Sequence, residues 1–560
     1  MIRALTSFFC SIFLASSSLF FASLLIAQDA SSQDVGLPNF YDNEAPDILA
    51  EKIVSAMTHE ELLSQIFMFG WKGDMPGQLL LDWIEKRGLG NIKVFGWNTK
   101  DSIKLAKAIS LLQKKALQCR FNIPLFVATD QEGGLVRHVK GLATYTPGNL
   151  AIGASGIPYD AYKTGYYIAL ELRALGINLN FAPTVDLYTN YDSSVIGIRS
   201  FGERKDAVSK LAIAFMQGTQ VAGVIATAKH FPGHGDTKDD SHGRLPKIDV
   251  SREVLFSREI QPFKMLIDNG LLAIMTAHIN YSALSEKGEP ATFSRYILKD
   301  ILRENLGFDG IIITDDIMMQ AAHGYAGGFA VAVQKAIEAG NNLIESSRTP
   351  LFSEDVWQHN LNLMKKDKDF YLSVRDSAKR VITLKLRYFK SKNHVDIFPD
   401  IEELPNKIPL KESDDFFLAM AARSVTIVRG MKSPHPYSED DAPLIVASTK
   451  AFLDAGKKRY PNAILSNLES SYVHLSQAKT VICCLEDVVS LQVIKNLIKN
   501  APKKRFIIVS LDSPIYLKSL AEAKDVIAIY SSSPFSFTAA FSAVAGDFIP
   551  YGKMPLINIK

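Results

Sequence analysis

The stretch Gly310-Ile311-Ile312-Ile313-Thr314-Asp315-Asp316 sets three isoleucines and a threonine directly before a pair of carboxylates. A run so short, so rich in β-branched side chains and apolar at successive positions describes a strand buried on both faces. The polar pair then falls at the strand's carboxyl end. The same pattern recurs upstream at Ile92 to Phe95, Leu125 to Thr129, Asn178 to Phe181, Val224 to Ala228 and Leu272 to Thr276, and downstream at Asn342 to Ile344. Helical patterns separate these runs from about Asn39 to Asn393. Repeated β-α units of this number and total length predict an α/β fold, a (β/α)8 TIM-like barrel, whose catalytic face carries the residues just after the strands. Asp130, Lys229-His230, Ala277-His278 and Asp315-Asp316 all hold that position. The topology would gather them into one pocket.

Past the barrel the pattern breaks at Phe398-Pro399-Asp400, Leu404-Pro405 and Ile408-Pro409, a proline-bearing connector. Beyond it, Ser424 to Val428, Leu444 to Ala447, Thr480 to Cys484, Arg505 to Ser510 and Asp525 to Tyr530 read as strands. Phe416 to Arg423, Val488 to Lys499 and Phe535 to Val544 read as helices. The expected organisation is a leader over 1–27, a barrel over 28–393, a linker over 394–411 and a smaller α/β sandwich domain over 412–560.

Length and composition agree with this division. A chain of 560 residues exceeds what one core normally holds, and 47% hydrophobic residues can fill two. The formal net charge of +3 is spread without a basic block or an acidic tail, which argues against a nucleic-acid partner. Residues 1–27 carry one charge, Arg3, and an apolar and serine stretch from Phe8 to Ala27, the pattern of a secretory signal. An uncleaved amino-terminal anchor is the alternative, since the stretch is close to the ~20 residues that span a bilayer. The expected location is therefore periplasmic or extracellular. After loss of the leader, Cys119, Cys483 and Cys484 remain, an odd set with one adjacent pair and no disulfide framework.

One polar segment stands out, Lys229-His230-Phe231-Pro232-Gly233-His234-Gly235-Asp236-Thr237-Lys238-Asp239-Asp240-Ser241-His242. Pro232 and the glycines oppose a helix, so the segment is a loop, where catalytic residues usually lie. His230 and His234 invite a metal reading, but that spacing converges on an ion only along a helix, and Pro232-Gly233 stands between them. No metal or other cofactor is expected. Asp240-x-His242 offers acid/base chemistry instead, because in an extended backbone residues i and i+2 share a side. A carboxylate beside an imidazole stabilises its protonated form near neutral pH.

The same segment resembles the signature of the β-N-acetylhexosaminidases of glycoside hydrolase family 3. Asp130-Gln131-Glu132-Gly133-Gly134, Asn180-Phe181-Ala182-Pro183, Ile198-Arg199-Ser200-Phe201-Gly202, Met275-Thr276-Ala277-His278 and Thr314-Asp315-Asp316 are similar to family blocks in the same order. The resemblance implies that Asp315 is the nucleophile of a retaining reaction and that His242, assisted by Asp240, replaces the usual second carboxyl as acid/base. A helix-capping role suits the neighbouring Asp316 better than Asp315. The resemblance further implies that Asp130, Arg199, Lys229 and His230 bind the sugar, with His138 at a position where the family usually has arginine. Arg137, one place earlier, is the other candidate for that contact. His278 either faces the pocket or packs beneath it.

The expected activity is that of a retaining exo-β-N-acetylglucosaminidase acting on an amino-sugar glycan such as a peptidoglycan fragment. A related phosphorylase using phosphate as acceptor and a non-catalytic glycan-binding protein are the alternatives.

Overall fold

The computed structural model describes residues 36–559 apart from 194, 238–242, 244, 286 and 440. The leader and the expected acid/base pair Asp240 and His242 therefore lie outside the described residues.

Eight parallel strands form the first sheet: β1 Phe67–Gly70, β2 Asn91–Lys93, β3 Phe126–Thr129, β4 Leu179–Asn180, β5 Ile225–Phe231, β6 Ala273–Thr276, β7 Ile311–Thr314 and β8 Ile344–Ser346. They neighbour one another in chain order, with β8 returning to pair with β1. A single parallel bridge, Ile313 to Leu343, brings β7 against β8, so the barrel is nearly closed. The strands are buried throughout, as near-continuous apolar runs predicted. One strand is absent from the sequence reading. β1 follows the helix His59–Gln65 after one residue, Ile66, with no turn residue to part them. That helix is fixed at its start by a reciprocal cap between Thr58 and Glu61.

The second sheet is smaller and mixed. Its strands are β9 Thr426–Arg429, β10 Leu444–Val446, β11 Ile464–Ser466, β12 Thr480–Leu485, β13 Arg505–Ser510 and β14 Asp525–Ala528. Their spatial order is β9-β14-β13-β12-β10-β11, antiparallel only between β9 and β14. Helices Asp414–Ser424, Lys450–Arg459 and Pro534–Ala545 pack on one another, and Phe452, Phe537 and Phe541 join Ile482, Cys484 and Ile507 in one apolar layer. Cys483 and Cys484 are both fully buried strand residues, one facing each side of the sheet.

The two sheets meet through side chains. Leu150, Ala151, Ala154 and Tyr188 of the barrel half share an apolar cluster with Val481, Cys483 and Leu485. Arg423 pairs with the buried Asp160 at 2.5 Å, Tyr188 bonds Ser513 at 3.0 Å and Tyr145 bonds Ser532 at 2.7 Å. Among the described residues no helix is long and apolar enough to cross a membrane.

Candidate active site

The carboxyl ends of the barrel strands bring the charged residues together. β3 leads into Asp130 and then into a tight hairpin, Gln131–Gly133 against Val136–Arg137. Gly133 and Gly134 turn it at φ of 92° and 60°, a conformation open to glycine. Asp130 is held by two lysines, Lys229 Nζ at 2.5 Å from Oδ1 and Lys93 Nζ at 2.8 Å from Oδ2. Glu132, next but one, is gripped by Arg199, whose Nε and Nη2 donate to its two oxygens at 3.0 and 2.7 Å. Lys229 also reaches Glu132 at 2.6 Å. Sugar-site candidates Asp130, Arg199 and Lys229 thus belong to one ion network, with Glu132 as a member that the sequence reading left unassigned.

His230 follows Lys229 at the end of β5. Its Nδ1 lies 2.7 Å from Oδ2 of Asp186, which also accepts the backbone N–H groups of His230 and His234. Nε2 faces Arg199 Nη2 at 3.4 Å and Asp315 Oδ2 at 4.0 Å. Asp186 therefore sets the ring's orientation, and sequence reading missed it because it stands alone between the apolar Val185 and Leu187. His234 is buried and touches Thr237 through Nδ1 at 3.0 Å. Burial, then neighbouring His230, lowers its pKa to about 4, so the ring stays neutral and supports the turn. The turn itself needs Gly235, since a Cβ there would stand 1.5 Å from the Leu187 carbonyl oxygen.

Asp315 and Asp316 follow β7 and take different parts. Asp315 Oδ1 accepts the Asp316 N–H at 2.8 Å, while its Oδ2 faces His230. Asp316 Oδ1 accepts the N–H groups of Met318 and Ser347, so it braces the turn after the strand rather than capping a helix as expected, since the next helix, Gln320–Ala326, begins after Met319. His278 packs beneath the pair. Its Nδ1 meets Thr292 Oγ1 at 2.8 Å and its Nε2 meets the Asp316 carbonyl at 3.1 Å.

His138 and Arg137 separate in space. His138 Nδ1 lies 3.6 Å from Asp130 Oδ2, within the cluster but beyond hydrogen-bond length. Arg137 stacks on the Tyr145 ring with its guanidinium carbon 3.9 Å from the centroid. A cleft of about 670 Å³ opens beside Arg199, lined by Leu135, Tyr188 and Ile198 and, from the second sheet's side, Asp512 and Tyr516.

Burial opposes ionisation of Asp130, Glu132 and Asp315, and the groups around them outweigh it. Lys229 and Lys93 hold Asp130 well below the usual range. Arg199 and Lys229 hold Glu132 at about 2. For Asp315 burial is likewise overcome, by His230, His278, the Asp316 N–H and Lys229, to about 2. Each is an anion at neutral pH.

The chain has counterparts among known proteins. Residues 59–384 match the glycosyl hydrolase family 3 N terminal domain, and the chain belongs to that family. A β-hexosaminidase of Tolumonas auensis is 35% identical over 315 residues, 56% of this chain and 91% of its own length. β-Hexosaminidase A of Pseudoalteromonas piscicida is 40% identical over 256 residues, which is 43% of each chain, so the match spans less than half of that relative. A solved family 3 β-N-acetylglucosaminidase from Paenibacillus sp. superposes with a TM-score of 0.78 at 27% identity, over 90% of this chain and 99% of that one. A β-glucoside phosphorylase shares the fold at 19% identity, with a TM-score of 0.78 over 91% of this chain and 96% of its own.

Proposed function

We propose that the protein is a retaining exo-β-N-acetylglucosaminidase that releases terminal β-linked N-acetylglucosamine from glycans such as peptidoglycan fragments. One observation carries the assignment of the nucleophile. Of the four carboxylates Asp315, Asp130, Glu132 and Asp186, Asp315 keeps the most side-chain exposure, 24%, against 13% for Asp130, 1% for Glu132 and 0% for Asp186. Unlike Asp130 and Glu132, it is bound to no lysine or arginine among the contacts described above. An anion both charged and approachable is what an attack on an anomeric carbon requires.

In this reading Asp315 forms a bond to the anomeric carbon as His242 gives a proton to the leaving oxygen, and the glycosidic bond breaks. His242, held by Asp240, then takes a proton from water, whose oxygen displaces Asp315. Asp130, Arg199, Lys229, His230 and His138 would line the sugar's hydroxyls with charged donors and acceptors. The hexosaminidase names of the relatives support the amino-sugar specificity. We further infer export from the leader pattern of residues 1–27.

The test is a panel of aryl β-glycosides with and without phosphate, followed by trapping with a fluorinated glycosyl fluoride. The expected result is release of N-acetylglucosamine independent of phosphate and a glycosylated peptide containing Asp315. Sugar 1-phosphate as the product, or a label elsewhere, would sink the reading.

A further inference from the structure

We propose that Lys93 is a further positioning residue of the sugar site, an ammonium that fixes the Asp130 carboxylate from a buried seat beside Glu345. The inference rests on the glycosidase reading above, because Asp130 acts there as an acceptor for sugar hydroxyls.

Lys93 ends β2 and is 3% exposed, so its charge has left water and needs a partner. Its Nζ lies 2.8 Å from Asp130 Oδ2 and 3.4 Å from Glu345 Oε1. The rings of Phe95 and Phe181 stand 4.6 and 4.5 Å from it, an apolar and cation-binding collar. Lys229 occupies the other oxygen of Asp130. Each oxygen therefore has its own lysine, which stops the carboxylate turning about its last bond and aims the remaining lone pairs in fixed directions. His138, at 3.6 Å from the same Oδ2, is too far to do this. The anchor of that oxygen is Lys93.

Glu345 lies on β8 with no exposure, and neither of its oxygens has a hydrogen-bond partner. Among the described residues Lys93 is its one ion-pair contact, and that ammonium sits closer to Asp130. Burial, followed by the nearby charges of Asp316, Asp315 and Asp130, drives the Glu345 carboxyl well above its ordinary range despite Lys93. For Lys93, burial favours loss of the proton, but Asp130 leads the groups that reverse this and raise it. A neutral Glu345 leaves the charge of Lys93 directed at Asp130. The pair is therefore unequal, and its two members are separable by mutation.

Three variants test this: Lys93→Met, Glu345→Gln and the double Lys93→Met/Glu345→Leu, each assayed for kcat and KM on the aryl glycoside that the wild type cleaves best and for Tm. Glu345→Gln, which mimics the neutral acid, should keep kcat/KM within about threefold, whereas Lys93→Met should lose at least about 10-fold, the scale of one charge-assisted hydrogen bond. Replacing both members by apolar residues restores or raises stability in other buried pairs, so the double variant should recover Tm while kcat/KM stays low. That separation is what a scaffold role would not produce. Recovery of kcat/KM in the double variant, wild-type kcat/KM in Lys93→Met, an equal loss in Glu345→Gln, or a double variant that does not fold would each overturn the proposal. If the wild type cleaves an aryl glycoside other than the N-acetylglucosaminide, the function reading fails while the Lys93 comparison is still read on that substrate.

Discussion

The two sheets of this protein obey the same packing rule and finish differently. In the second sheet the buried strand residues, such as Ile482, Cys483, Ile508 and Val509, lie in apolar layers on both faces. In the barrel the buried strand ends carry Lys93, Lys229, His230 and Glu345, with Asp130 and Asp315 one residue further on. Burying that many charges is unfavourable unless each meets an opposite charge at short range, and here the lysines and Arg199 do so for Asp130 and Glu132. Asp315 departs from that pairing. The contrast teaches that a buried sheet by itself calls for no charge, so the charged end of the barrel asks for a reason other than folding.

The contrast is sharpest at Asp315. Asp315→Asn should lower kcat/KM on an aryl N-acetylglucosaminide by at least about 10³-fold while Tm holds or rises, because the lost charge serves reaction rather than folding. A mutant with near-wild-type turnover would break the assignment. Ile508→Ala, in the middle of β13, should do the opposite. Its fully buried side chain leaves a cavity that costs about 2–5 kcal/mol, read by denaturant unfolding, while kcat/KM of the folded enzyme stays unchanged. A large fall in kcat/KM there would mean that the second sheet shapes the pocket directly.

Seven of the eight barrel strands were legible because strands buried on both faces leave short, unbroken apolar runs. β1 was not, since Leu62, Leu63, Ile66, Phe67, Met68 and Phe69 follow each other across a helix-to-strand junction as if on one element. In the second sheet β11 was missed as well; it is a three-residue edge strand, half-buried and without alternation. Asp130, Arg199, Lys229 and His230 were legible because they stand near glycine or proline in recognisable blocks, and Asp315 because it closes the apolar run from Gly310 to Thr314. Lys93, Asp186 and Glu345 were not. The signal for Lys93 and Glu345 was present nonetheless. Each is the one charge in a strand buried at every position, and such a strand has no solvent face to put it on.

A smaller effect concerns Glu259, which packs against Gly233 under the turn after β5 and pairs with Arg258 through Oε1 while its Oε2 has no partner. Burial raises its carboxyl to about 7, with Arg258 pulling the other way and Asp236 and Asp186 adding to the rise. The sign follows from proton counting. Between the unfolded value of about 4.3 and about 7 the folded chain holds more protons, so Glu259 lowers stability as pH rises through that window. Glu259→Gln should therefore unfold at higher temperature than the wild type at pH 8, by about 1–3 kcal/mol, and show little difference at pH 4. Equal shifts at both pH values would assign the effect to packing and remove the charge from the account.

The smallest expected effect tests the seam between the two sheets. Tyr145 carries the stacked Arg137 guanidinium on its ring and bonds Ser532 through its hydroxyl at 2.7 Å, and Ser532 in turn bonds the Asp512 carboxylate. Tyr145→Phe keeps the ring and the stacking but removes one hydroxyl, which costs about 0.5–1.5 kcal/mol for a partly buried neutral bond. If the second sheet only braces the barrel, kcat/KM should stay within about twofold while Tm falls slightly. A fall in kcat/KM larger than the stability loss accounts for would show instead that the hairpin after Asp130 is held in its working position from across the seam. The charged end of one sheet would then depend on the apolar body of the other, and the division drawn between them would fail at Tyr145.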